Sequence, residues 1–159
     1  MVKKIHIGIL FLAIAIAHFS FYRFDLYNTI TSLDKPMHFA GGSFLALLWL
    51  WIVQQQQQAN LPTNKTGDKQ QTAKLHFLTL IFSLIGFVLL FGITWEFFEY
   101  LSWIFLSDFG RYFVLYDPLV SDLFADLLMD LVGGIVVGLV YYIKRGWLAQ
   151  LVRAYDSHS

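Results

Sequence analysis

Long apolar stretches separated by short polar ones organise this chain. Ile5 to Tyr22 runs 18 residues without Asp, Glu, Lys or Arg, and Pro36 to Val53 is another such 18. Leu75 to Trp95 gives 21, and apolar character resumes after Glu96 and Glu99 as far as Leu106. Leu119 to Ile143 is 25 residues, interrupted only by Asp122, Asp126 and Asp130. Each stretch reaches the roughly 17–25 residues that a helix needs to cross the hydrocarbon core. In lipid every backbone N–H and C=O must be satisfied within the segment, which leaves helices as the reading. The pattern predicts an all-α integral membrane protein. It forms a single membrane domain over 1–159, a bundle of four transmembrane helices at about 5–24, 36–53, 75–103 and 118–143.

The connecting segments refine this plan. Residues 54–74 hold five consecutive glutamines, Pro62, Gly67 and Gln70-Gln71, and read as a flexible Gln-rich loop with too few apolar residues to build a core. Asp117-Pro118 pairs a good N-cap with a good first helical residue, so the last helix is expected to start there. The Phe- and Tyr-rich segment from Ile104 to Tyr116, with Trp95, Tyr100 and Trp103, has the composition of an interfacial aromatic belt. Lys3-Lys4 before the first apolar run and Ala15-Ile16-Ala17 within it resemble a signal peptide. The run continues past Ala17, however, and a retained anchor is the expectation.

Basic residues set the orientation. Lys3, Lys4, Lys65, Lys69, Lys74, Lys144, Arg145 and Arg153 fall on one side of this topology, against Arg23, Lys35 and Arg111 on the other. Both termini are therefore expected to be cytoplasmic, in a multi-pass protein of the cell (inner or plasma) membrane with the lipid bilayer as its first partner. Composition agrees: 57% hydrophobic residues and only 14% charged, against about 25% charged in soluble domains. Eleven basic and eleven acidic residues cancel, so no global field attracts nucleic acid. There is no cysteine, which excludes disulfides and thiolate metal sites.

The zero net charge hides an asymmetry. Asp68 and Asp156 are the two acids on the cytoplasmic side; Asp25, Asp34, Glu96, Glu99, Asp108, Asp117, Asp122, Asp126 and Asp130 all lie outside or in the outer half of the bilayer. Asp34 and His38 are four apart and share a helix face, Glu96 and Glu99 are three apart, and Asp122, Asp126 and Asp130 continue at steps of four. Asp130, twelve residues past Pro118, is about 18 Å into its helix. Small residues follow the same faces: Gly41-Gly42 beside His38, Gly92 before Glu96, and Gly133, Gly134 and Gly138 beyond Asp130, as expected where helices approach closely. An ionised carboxylate at mid-membrane costs about 2.5–3.5 kcal/mol on insertion scales, so such acids are protonated, paired or metal-bound, and mark a functional site. Lys35, Arg111, Arg23 and His38 are too few to pair them all. The bland alternative is that the acids hydrogen-bond to Ser43, Thr94, Ser102 and each other and only hold helices together. His6, His18 and His76 lack such company and read as interfacial or packing residues.

Three blocks of this sequence, Asp34-Lys35-Pro36-Met37-His38-Phe39, Gly92-x-x-x-Glu96-x-x-Glu99 and Asp126-x-x-x-Asp130-x-x-Gly133, resemble those of the VanZ-like membrane proteins. Glu99 stands where that family usually has Gln and Asp130 where it usually has Asn, both as in the YjdF-type branch, to which the chain is closest. The resemblance covers about residues 5–143. It implies an integral membrane protein and supplies no defined reaction; one namesake member is linked to glycopeptide resistance in bacteria.

Two functions remain open. Asp34, His38, Glu96, Glu99, Asp126 and Asp130 form an oxygen-rich set with one imidazole, suited to a divalent cation such as Mg²⁺, Mn²⁺ or Zn²⁺. One reading is a non-enzymatic site that binds a cation or a polar envelope ligand, such as a lipid headgroup. Four helices are few for a complete transporter, so homo-oligomerisation would accompany transport. The alternative is a metal-dependent hydrolase or transferase acting on a lipid-linked envelope substrate, the metal activating water.

Overall fold

The computed structural model describes residues 2–30, 32–59, 69–105 and 120–156. Its helices are α1 (Lys4–Arg23), the short α2 (Leu26–Thr29), α3 (Asp34–Ala59), α4 (Lys69–Phe105) and α5 (Val120–Asp156), and no strand occurs among the described residues. Four segments are long and apolar enough to cross a membrane: Lys4–Arg23, Asp34–Gln56, Leu78–Phe105 and Val120–Lys144. The four-helix membrane architecture read from the apolar stretches is the one observed.

Helix ends differ from expectation in one direction. α3 begins at Asp34 and continues to Ala59, carrying Gln54–Gln58 in helix where a loop was expected from Gln54. α4 begins at Lys69, and α5 runs on to Asp156. The polar positions that ended the apolar runs are Gln, Lys and Arg, which are good helix formers. An apolar run marks the stretch suited to lipid, and the helix itself can continue beyond it. The rest of the glutamine loop, Asp117-Pro118 and most of the aromatic segment before it lie outside the described residues.

α3, α4 and α5 form the packed centre, α3 parallel to α5 and α4 antiparallel to both. One half of this interface is apolar: Ala46, Leu50, Leu84 and Val88 are buried together, with Trp49, Leu80, Val137 and Tyr141 against them. Trp49 stacks on Phe87 at 4.9 Å and donates its indole N–H to Ser83 Oγ at 3.3 Å. The other half is polar, with Glu96, Glu99, Asp126 and Asp130 all buried. On α4 the buried positions Leu84, Val88, Gly92, Glu96 and Glu99 follow one helical stripe. The opposite faces expose Phe82, Leu90, Phe97, Phe124, Leu128 and Leu139. Apolar outside and polar inside is the arrangement a bilayer demands.

Two contacts set the spacing of α3 and α5. A Cβ built on Gly42 would lie 1.9 Å from the carbonyl oxygen of Asp130, and one on Gly133 would lie 2.1 Å from that of Phe39. Here backbone packs on backbone. At Gly92 the near neighbour is the Asp130 carboxylate at 2.7 Å, and at Gly134 it is Val88 at 3.1 Å. Gly41 and Gly138 would meet only ordinary contacts at 3.6 Å.

α1 stands apart, with no buried residue. It runs antiparallel to α3, joined by Val2 N–H to Gln54 Oε1 at 3.2 Å, Lys4 over the Trp51 ring at 5.5 Å, and Phe11 against Phe44 at 5.6 Å. At its far end Asp25 takes a left-handed conformation (φ 54°), which Asp tolerates better than most residues. The chain thereby folds back into α2.

Candidate functional site

The first turn of α3 supplies a lysine placed among carboxylates. Lys35 Nζ donates to Asp34 Oδ2 at 2.9 Å, Asp122 Oδ1 at 2.5 Å and Asp126 Oδ1 at 2.7 Å. The Asp34 carboxylate also accepts the Lys35 backbone N–H at 2.9 Å, one of the amides a helix start leaves without a partner. An ammonium has three donors and no acceptor, and here each donor has a carboxylate. A potential cation-binding group formed by Asp34, Asp122 and Asp126 is thus already filled by the protein's own cation.

One turn deeper, His38 sits among the remaining acids. Its Nδ1 lies 3.3 Å from Asp130 Oδ2, and its Nε2 lies 3.7 Å from Glu96 Oε1 and 3.6 Å from Asp126 Oδ1. His38, Glu96 and Asp126 each present a ligand atom, all within 4.8 Å of one another. Glu96 Oε1 is buried and accepts no hydrogen bond. Such an atom carries the full cost of desolvation. The Asp130–His38 contact fixes the ring and leaves Nε2 facing the two carboxylates, the arrangement by which a second carboxylate orients a metal-binding imidazole.

Charge balance is incomplete. Among the described residues packed at this end of α3, α4 and α5, six carboxyl groups (Asp34, Glu96, Glu99, Asp122, Asp126 and Asp130) face two basic groups, Lys35 and His38. Protons or a further cation must supply the difference. Two of the three hydroxyls expected to help donate elsewhere: Ser43 Oγ to Phe39 O at 2.8 Å and Thr94 Oγ1 to Leu90 O at 2.6 Å, both on their own helices.

A cavity of about 430 Å³ opens beside the acids, walled by α1, α3 and α4 with residues of α2 and α5. Asp34, His38, Glu99, Asp126 and Asp130 form its polar end, and Phe11, Ile14, Phe19, Phe44 and Phe91 are among its apolar walls. His18 and Tyr27 also line it, with Tyr27 OH 2.9 Å from His18 Nδ1. Burial, with Asp34 and Glu99 nearby, pushes the Tyr27 phenol up to about 12, so it remains a hydroxyl at ordinary pH.

Of the residues singled out from the sequence, His38, Glu96, Asp126 and Asp130 meet directly. Asp34 joins through Lys35, and Glu99 faces the cavity. Lys35 and Asp122 belong to the same network but were not in that set; the four-residue step to Asp126 was the signal for Asp122, and Lys35 stood among the few bases available to pair the acids. His18 and Tyr27 were also outside it. Their meeting depends on the reversal at Asp25, which leaves no trace in hydropathy. Of the other charged residues placed on this side, Asp108, Arg111 and Asp117 lie outside the described residues.

The chain belongs to the family described as Predicted membrane protein (DUF2238), which matches residues 3–146. No curated protein and no solved structure matches it.

Proposed function

We propose that this member of the family is a multi-pass protein of the cell membrane that binds a cation at the His38–Glu96–Asp126 group, in a non-enzymatic role. The observation that carries the reading is Glu96 Oε1, a buried oxygen with no hydrogen-bond partner, close to an imidazole nitrogen and a second carboxylate. The positive-inside count puts both termini in the cytoplasm and the acidic half of the bundle toward the outside. Lys3, Lys4 and Lys144, exposed at the opposite end, agree with that orientation. The likeness of the three sequence blocks to VanZ-like proteins of the YjdF type supports a place in the cell envelope.

A second reading has its own support. One imidazole and two carboxylates offer a divalent metal three protein ligands, the number typical of catalytic sites, with further positions left for water or substrate. A metal-dependent hydrolase or transferase acting on a lipid-linked substrate would use it, with the cavity holding the substrate.

Titration of the purified protein with Mn²⁺ and Zn²⁺ separates these outcomes. One ion per chain is expected, with binding weakened at least about tenfold in Glu96→Gln, which loses about 1.4 kcal/mol or more. Acidification should weaken binding, because carboxylates that hold an ion must be free of protons. No saturable binding, or binding indifferent to Glu96→Gln, overturns the reading. Metal-dependent release of phosphate from a polyprenyl phosphate, lost in the same variant, would favour the enzyme.

A further inference from the structure

We infer that the cavity beside the acidic group receives an amphiphile with an ammonium head, its chain lying between α1 and α4 and its head among the carboxylates. The inference rests on the cation-site reading and names the class of cation.

Three observations meet here. The first is charge: Asp34, Glu99, Asp126 and Asp130 all line the cavity, and the two basic groups that contact three of them, Lys35 and His38, supply at most two positive charges against these four. An anionic head would meet like charge; a cationic one completes the balance. The second is Glu96, whose buried Oε1 has no hydrogen-bond partner and lies 3.7 Å from the cavity-lining His38. The third is the division of the walls. Away from the acids they are Phe11, Ile14, Phe44, Leu45 and Phe91, which take a hydrocarbon chain. Trp95 and Tyr27 line the cavity as well, and aromatic rings of this kind attract ammonium groups. A bare metal ion uses the first two features and leaves the third idle. The volume, about 430 Å³, falls among ordinary small-molecule sites. α1 has no buried residue, so its displacement to admit a chain costs little packing.

Ala15 lines the middle of the cavity from α1 and is remote in sequence from the cation-binding residues. Ala15→Trp places a large ring across the cavity and leaves the acids in place. The test is calorimetric titration of decylammonium into the protein in maltoside micelles, against protein-free micelles. Decyl sulfate and decanol serve as head-group controls, and Mn²⁺ is titrated in parallel. Saturable binding of one decylammonium per chain is expected, with none for the controls. Glu99→Gln should weaken it by about tenfold, roughly 1.4 kcal/mol. Ala15→Trp should abolish it and keep Mn²⁺ binding. Decyl sulfate binding as well as decylammonium, or Ala15→Trp binding it unchanged, overturns the inference. Glu96-dependent Mn²⁺ binding without decylammonium binding overturns the inference alone. Binding of neither overturns the cation site as well.

Discussion

Gly133→Ala and Gly42→Ala are expected to unfold the bundle at far milder conditions than the parent protein. A Cβ at either position would meet a backbone carbonyl at 2.1 or 1.9 Å, against an ordinary contact of about 3.5 Å. A side chain can rotate away from an added methyl; a helix backbone can retreat only by moving the whole helix. Overpacking usually costs about 1–3 kcal/mol, and these positions belong at or above the upper end of that range. The same displacement would pull Asp130 from His38, now 3.3 Å apart, so cation binding should fall with stability. Gly8→Ala and Gly86→Ala are the controls, since nothing lies within 4 Å of a Cβ at either. In a helix each should be neutral or gain up to about 1 kcal/mol. Unfolding followed during titration of micelles with a denaturing detergent would measure all four. Gly133→Ala unfolding together with Gly86→Ala would show that α3 and α5 are not held by backbone contact.

How much of this was legible in the sequence depended on the range of the interaction. Spanning segments are set by local composition, so four apolar runs gave four helices. Steps of three and four along one helix are also local, and they placed Asp126 with Asp130 and Glu96 with Glu99 on common faces. Intramembrane charge is costly enough that its carriers must face the interior, which made the meeting of those faces predictable. Other features required three dimensions. That Lys35 engages three acids while Glu96 has no donor follows from how α3, α4 and α5 are rotated against one another. The unequal tightness of six glycines comes from the same source: Gly42 and Gly133 touch backbone while Gly41 and Gly138 do not. The cavity is set by how loosely α1 leans on α3, and hydropathy is blind to that.

Removing the Lys35 charge is expected to produce the second large loss, with a distinctive pH dependence. Its side chain is about four-fifths buried, at 21% relative exposure. Lys35→Met would leave Asp34, Asp122 and Asp126 facing one another without a cation. Breaking a buried ion pair from one side costs about 3–5 kcal/mol; with Asp122 still partly exposed to water, the lower figure applies here. Two outcomes distinguish this from a mere loss of packing. Because the defect is mutual repulsion of carboxylates, acidification should narrow the gap between Lys35→Met and the parent protein as the acids take up protons, and Asp122→Asn or Asp126→Asn should partly repair the variant at neutral pH. The destabilisation would persist unchanged, or widen on acidification, if Lys35 acted through its hydrocarbon stem. The second outcome concerns binding. Asp34, Asp122 and Asp126 offer ligand atoms within 4.8 Å of one another, and the lysine ammonium occupies the space between them. With that ammonium gone, the chain should take up a second Mn²⁺ and regain stability in proportion to its occupancy. A variant that folds yet still binds a single ion would mean that the Lys35 group and the His38 group act as one site, with the lysine serving as a fixed ligand-ordering charge and not as a resident cation.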